Sequence, residues 1–392
     1  MQLPEAFIIR TKELLGDEWT AFEQALNKES PVSIRINPKK ANPDLLSDAL
    51  PLSEPVPWAQ DGYYLDSRPS FTLDPLFHAG CYYVQEASSM ILEHFIKNYF
   101  PNPAKVLDLC AAPGGKSTHI SSLLTAESLL VSNEVIRSRA SVLAENLIKW
   151  GNPNTIVTCN DPAEIGKSLP GYFDVIVADL PCSGEGMFRK DPAVIKEWSL
   201  NNVCLCAERQ RRIIADVWPA LKPGGILVYS TCTYNREENE ENIEWICREF
   251  DSELLEEPRR MMPHRIKGEG FFIAALRHSS PVTRHFSPSL QLKNKLRIIF
   301  TGFDLGEFID QDRILTQGLA MSNVLSETAF PRWEVDRETA IKYLRREALQ
   351  NIPNEIPKGY VLITYKGIPI GFVKNIGTRA NNLYPHEWRI RK

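Results

Sequence analysis

The sequence predicts an α/β protein organised around one mostly parallel β-sheet. Three observations carry that expectation. Between about residues 73 and 280, short apolar runs alternate with segments patterned at helical spacing. The first run, "AKVLDLCAAPGG", ends in a glycine-rich turn that leads into the helical "KSTHISSLL". Four later runs, "SLLVSNEV", "NTIVTCND", "YFDVIVADLPC" and "ILVYSTCTY", also end in polar or thiol-bearing residues. Parallel sheets bind ligands beyond the C-terminal ends of their strands, so these ends should gather along one edge.

The elements follow in order. "AFIIRTKELLGDEWTAFEQAL" reads as helix, "PVSIRINP" as a short strand and "SEPVPW" as a proline-rich turn, giving a small α/β unit over residues 1–75. In "RSRASVLAENLIKWG", Ala140, Leu143, Leu147 and Trp150 recur at spacings of three and four, and Gly151 stands just past the end. "NNVCLCAERQRRIIADVWPAL" reads as a long helix closed by "KPGG". "NREENEENIEWICREF" reads as a helix capped by Asn235, with Glu238 completing a capping box and the acidic run favouring the helix start. "GFFIAALR" is a last strand, closing a domain of residues 76–280. "SSPVTRHFSPS" reads as a linker into a third region, 281–392, whose "GYVLITYKGIPIGFVKNIG" predicts a hairpin turning at Lys366-Gly367.

Composition narrows the class. A chain of 392 residues, 43% hydrophobic and 24% charged, can bury a large core in two or three domains. No run approaches 18 apolar residues, which argues against a membrane span, and the N-terminus reads as an amphipathic helix and not a signal peptide. A cytoplasmic location is the expectation. The eight cysteines lack a Cys-x-x-Cys pair, so free thiols are expected, and no metal site. Cys204 and Cys206 point to different faces of one helix. The net charge of −4 hides a basic end: residues 331–392 hold twelve Lys/Arg against six Asp/Glu, compatible with a local basic patch.

The turn "CAAPGGKS" admits three ligands. Small residues let a backbone approach closely, and the helix that follows offers free N–H groups. A dinucleotide would call for Gly-x-Gly-x-x-Gly, which is absent. A P-loop NTPase would match Gly115, Lys116 and Ser117, but Cys110 stands where the first glycine belongs. A nucleoside cofactor such as S-adenosylmethionine would use an acid at the second strand end. Glu134 stands there, nineteen positions after Gly115. Asp161, before Pro162, suits a turn equally well. The joint placement of the turn, Glu134, Asp161 and Asp179 on successive strand ends favours the nucleoside cofactor.

Most free cysteines are buried fillers, and Cys81, Cys110, Cys159, Cys204, Cys206 and Cys247 are read so. Cys182 and Cys232 differ, because each sits at a strand end beside the expected ligand. Methylation at carbon 5 of cytosine could use both. A thiolate adding to carbon 6 makes carbon 5 nucleophilic, and a second group assists release. Lys116 could promote thiolate character, and Asp179 could orient Lys116 and bind the base edge.

Taken in order, "LDLCAAPGGKS", "DLPCSGEGMFRKDP" and "YSTCTYNREENE" resemble the Nop/Sun (RsmB/RsmF-like) RNA cytosine-5 methyltransferases, closest to the bacterial RsmF type. "VSIRIN" and "HAGCYYVQEASSM" resemble that family's N-terminal region, and the tail resembles its PUA-like RNA-binding end. The resemblance implies a Rossmann-like class I methyltransferase domain with a small α/β N-terminal RNA-binding extension and a C-terminal PUA-like domain. It implies Cys232 as nucleophile and Cys182 as the release residue, the reverse of DNA cytosine-5 methyltransferases. It further implies that Cys110, Ala111, Ala112, Pro113, Gly114, Gly115 and Lys116 hold S-adenosylmethionine. Glu134 would meet its ribose, Asp161 would lie near its adenine, and Asp179 would lie beside its methionine end. Arg139 would support the site. The implied substrate is 16S (small-subunit) rRNA, free or in the 30S subunit, with tRNA as the rival. The implied enzyme is a monomer.

Overall fold

The computed structural model describes residues 1–279, 295–302, 307–309, 312–350 and 352–391. The expected linker "SSPVTRHFSPS" lies, beyond Ser279, outside the described residues. Helices Glu5–Leu15 and Trp19–Leu26 open the chain, as their apolar spacing predicts. Strands β1 (Val32–Ile36), β2 (Leu52–Pro55), β3 (Gly62–Leu65) and β4 (Tyr82–Val84) form an antiparallel sheet in the order β2-β3-β1-β4. Part of the "SEPVPW" turn is therefore strand: Leu52 and Pro55 pair with Leu65 and Tyr63 along the sheet edge, where proline's missing N–H costs no ladder bond. Because β4 belongs to this sheet, the N-terminal unit runs past the expected boundary at residue 76.

The central sheet holds β5 (Lys105–Asp108), β6 (Leu129–Asn133), β7 (Thr155–Thr158), β8 (Phe173–Asp179), β9 (Leu221–Thr231), β10 (Ser252–Leu254), β11 (Arg259–Met261), β12 (Phe271–His278) and β13 (Ile298–Thr301). Its order is β10-β12-β9-β8-β5-β6-β7-β13, with β11 also on β12. Strands β5 to β9 are mutually parallel, and β10 to β13 join antiparallel at the two margins. The chain runs from β5 outward through β6 and β7, then returns to build β8 and β9 on the other side. That reversal opens a crevice beyond the C-terminal ends of β5 and β8. The apolar runs are buried on both faces, as the covered parallel strands require: Leu107, Val131, Ile176 and Leu227 face one layer, and Val106, Leu130, Val175 and Val228 the other.

Three expectations change here. "KPGG" does not close a helix but forms the irregular start of β9, where Leu221 to Ile226 oppose only Phe173 to Val175. The final helix of the domain begins at Glu240, not Asn235. Strand β13 pairs with β7, so the central sheet takes up chain beyond the expected boundary at 281.

The C-terminal part carries the short β14 (Glu307–Ile309) and β15 (Asp312–Ile314), then a sheet of β16 (Arg332–Glu334), β17 (Gly359–Tyr365), β18 (Ile368–Asn375) and β19 (Ala380–Asn382). The hairpin turns at Lys366 and Gly367, both at positive φ (49° and 75°). Trp333, Tyr343, Val361 and Ile363 of this part share one core with Ile34 and Leu65 of the N-terminal sheet and Leu46 of the Pro43–Ser47 helix. The two ends of the chain thus pack together. No helix among the described residues is long and apolar enough to cross a membrane.

Candidate active site

Strand β5 ends at Asp108, and Leu109 to Gly114 turn into the Gly115–Leu123 helix. Gly114 caps that helix at φ 117°, a backbone conformation suited to glycine, and no side chain occupies the first N–H groups. The turn is clamped from below. Ala111 N–H donates to the Asn133 carbonyl at 2.9 Å, and Asn133 Nδ2 donates to the Leu109 and Asn160 carbonyls. Arg35, wholly buried, reaches across from β1 to Thr118 (2.6 Å) and Gln85 (2.9 Å), with its guanidinium 4.6 Å from the Trp150 ring. This fixes the N-terminal sheet against the turn. Tyr83 and Gln85 consequently wall a pocket of about 200 Å³ with Cys110, Pro113, Lys116 and Asp179.

Lys116 Nζ and Asp179 Oδ2 pair at 2.7 Å, and Asp179 Oδ1 accepts from Ser230 Oγ at 2.8 Å. Burial alone would lower the Lys116 ammonium, but Asp179 outweighs it and raises the group above its ordinary value. Lys116 remains a cation.

Beyond this pair lie the two thiols, with Cys182 Sγ 3.0 Å from Cys232 Sγ. Two buried carboxylates hold them there. Glu185, from the loop after Cys182, accepts at Oε2 from Thr233 Oγ1 (2.7 Å) and from the N–H groups of Tyr234 and Asn235, and at Oε1 from Trp198 Nε1. Glu238, from the loop after Cys232, accepts from Ser183 N–H at 3.0 Å. Each loop therefore grips the other. Asn239 completes the grip: its Oδ1 accepts from Thr231 Oγ1 at 2.6 Å and its Nδ2 donates to the Thr233 carbonyl at 3.1 Å. Both threonines beside Cys232 are consumed in fixing its backbone. The thiol of Cys182 is raised well above its ordinary value, first by contact with the Cys232 sulfur and then by burial.

Cys110, Ala111, Ala112, Pro113, Gly115, Lys116 and Asp179 line one pocket; Cys182 and Cys232 do not line it, but follow Asp179 and its partner Ser230 by three and two residues. Glu134 is buried at the end of β6, accepting from Ile136 N–H (3.0 Å) and pairing with Arg139 (3.3 Å), which also donates to the Ala112 carbonyl. Asp161 stands apart. It is exposed, caps the Pro162–Ser168 helix through Ala163 N–H, and does not line the pocket, so its expected place near an adenine finds no support there. Cys204, read as a filler, is exposed because its helix buries Val203, Cys206 and Ala207 instead. Glu185 and Asp108 escape sequence reading, and the sequence marks Glu238 only as a capping residue, since nothing local marks a glutamate or aspartate as buried.

The family model described as 16S rRNA methyltransferase RsmB/F matches residues 100–277. Models of the RsmF N-terminal domain and the RsmF PUA domain match 3–87 and 330–390. A ribosomal RNA small subunit methyltransferase F from Cronobacter sakazakii is 30% identical over 464 residues, covering 98% of this chain and 96% of that one. The chain belongs to the RsmF family of 16S rRNA methyltransferases. A second RsmF, from Pectobacterium atrosepticum, is 37% identical over 309 residues, 71% of this chain, and this match spans 63% of that protein's length. A methyltransferase homolog from Pyrococcus horikoshii has the same fold (TM-score 0.61, 31% identity, 70% of this chain and 95% of that one). NSun6 from Pyrococcus horikoshii, solved with SFG, matches in fold at TM-score 0.61 and 22% identity over 71% of this chain and 99% of its own.

As an RsmF-family methyltransferase the protein uses S-adenosylmethionine, and its residues 330–390 match the RsmF PUA domain. The residues present fit that cofactor. The helix N-terminus at Gly114 is uncapped, a Cβ at Gly115 would press on the Tyr83 ring at 3.3 Å, and the buried Oδ1 of Asp108 lacks a hydrogen-bond partner. Burial pushes the Asp108 carboxyl up to about 7, against the hydrogen bond from Ser117.

Proposed function

We propose that this enzyme methylates carbon 5 of cytosine in 16S rRNA through a covalent Cys232 adduct. The observation that carries the reading is the paired thiols, 3.0 Å apart, beside the Lys116–Asp179 ion pair at the mouth of the turn. Cys232, facing the Lys116 cation, adds as a thiolate to carbon 6 of the ring, breaking the 5,6 double bond and enriching carbon 5. S-adenosylmethionine, when bound at Cys110–Lys116 and Glu134, supplies the electrophilic methyl group. Asp179 orients Lys116 and offers an acceptor to the base. Once carbon 5 carries the methyl, its remaining proton passes to solvent water, while the Cys182 S–H donates a hydrogen bond to the departing Cys232 sulfur. The 5,6 double bond re-forms, and the Cys232 sulfur departs with its electron pair. The enzyme is read as a cytoplasmic monomer. Bisulfite sequencing of 16S rRNA from cells lacking this chain tests the proposal: one or more protected cytosines become convertible, whereas an unchanged pattern refutes it.

A further inference from the structure

We propose that Glu238 determines which of the two thiols keeps its proton, holding Cys182 as the thiol so that Cys232 supplies the thiolate. The inference rests on the cysteine roles given under Proposed function, and it assigns to Glu238 a positioning role by charge.

Glu238 is fully buried. Its Oε2 accepts from Ser183 N–H at 3.0 Å and Gln210 Nε2 at 2.8 Å, and its Oε1 accepts from Asn235 Nδ2 at 2.7 Å. Every one of these partners is a donor. A carboxylate satisfies them all and also takes the Ser183 hydroxyl, although burial raises the carboxyl above its ordinary value. The anion is thus seated against the peptide that follows Cys182, the thiol that must not ionise first. The cation of the site, Lys116, pairs with Asp179 at 2.7 Å, and Asp179 Oδ1 accepts from Ser230, two residues before Cys232. Because Lys116 is balanced by Asp179, the anion seated against the residue after Cys182 makes the pair electrostatically unequal, although the two thiols touch.

The remaining charged neighbours do not cancel this. Glu185 adds a second anion, which acts on Glu238 itself. From the Leu200–Val217 helix, Arg209 acts on Cys206 and Arg211 on Tyr229, and Arg211 donates to Asn242. The Cys206 thiol and the Tyr229 hydroxyl, both pushed up by burial, contribute no charge near neutrality. Glu238 also contributes directly, by like charge, to the raised Cys182 thiol.

The test alkylates Cys182 with iodoacetamide in full-length protein carrying Cys232→Ser, with each cysteine read separately by peptide mass spectrometry. At about pH 8, adding Glu238→Gln should speed Cys182 alkylation about tenfold, the change expected when a thiol falls by about one pKa unit. Glu238→Asp, which keeps the charge but shortens the reach, should leave the rate within about twofold. An unchanged rate in Glu238→Gln overturns the proposal. So does an equal acceleration in Glu238→Asp, which would mean that packing and not charge protects Cys182. Should Glu238→Gln fail to fold, the pH profile of Cys182 alkylation in Cys232→Ser decides: a midpoint well above about 8.5, the ordinary thiol value, supports the proposal, and one at or below it overturns it. No RNA or cofactor enters this assay, so a negative result leaves the cytosine reading standing. That reading fails separately, in the adduct experiment that closes the Discussion.

Discussion

The sulfurs of Cys182 and Cys232 touch at 3.0 Å, and the next residues repeat the contact, with Ser183 Oγ 3.0 Å from Thr233 Oγ1. Two dipeptides fifty residues apart in sequence thus run side by side at the ends of neighbouring parallel strands β8 and β9. The strand pairing brings the thiols together, and Glu185 and Glu238 hold them in place.

Cys232→Ala removes the group read as the nucleophile. Transfer of a labelled methyl group to 16S rRNA should fall at least about a thousandfold, while the thermal midpoint changes little because the side chain is small and only partly buried. Retained turnover would reassign the nucleophile.

Gly186→Ala tests the clamp. An added Cβ would stand 2.7 Å from the Cys232 carbonyl oxygen and 3.0 Å from that of Gly270, and both are backbone atoms. The Cys232 loop must shift, so kcat should drop at least about tenfold, as misplacement of a reacting group requires. This steric limit explains why glycine stands after Glu185. An unaltered kcat would show that the loop position is not critical.

Asp108 gives a pH-dependent prediction. Its carboxyl is raised from 3.8 to about 7 in the folded protein, so folding favours its protonated form. The stability it contributes is whole below about pH 4 and is lost as the pH climbs through about 7. Asp108→Asn, neutral at every pH, should raise the thermal midpoint of the cofactor-free protein more at about pH 8 than at about pH 5. Equal shifts at both values would contradict the burial argument.

The C-terminal part is both scaffold and RNA surface in this reading. Its deletion from residue 331 onward would bare the core it shares with the N-terminal sheet, at about 1.5–3 kcal/mol for each large side chain exposed. The thermal midpoint should fall by several degrees at least. Point changes separate RNA binding from that loss. Ile390 N–H bonds the Leu344 carbonyl and Ala380 N–H the Leu349 carbonyl, so the backbone of Arg391 and Arg379 runs beside the 344–349 segment that carries Arg345 and Arg346. Arg379→Ala and Arg391→Ala should each reduce the salt slope of rRNA binding by about one; unchanged slopes would place the RNA elsewhere.

Much of the scaffold was readable because it is written in local pattern. The Arg137–Trp150 helix showed its buried stripe and its Gly151 stop, and Gly151 indeed takes φ 88°. The start of the later helix was misread for an equally local reason. Asn235 does accept from Glu238 N–H at 2.8 Å, the bond a cap would make, but the chain turns there and sends the Glu238 side chain inward. The pairing of β13 with β7 and the partners of Glu185 are long-range, so no spacing in the sequence foretells them. The thiols were legible as strand-end residues; which one keeps its proton depends on neighbours that only folding supplies.

Cys182→Ala enzyme, mixed with 16S rRNA and S-adenosylmethionine and then run on a denaturing gel, tests the central claim most directly. The account predicts a protein–RNA band resistant to denaturant, with the nucleotide mapped by peptide mass spectrometry to Cys232. Free RNA alone, or a nucleotide mapped to any other residue, would contradict it.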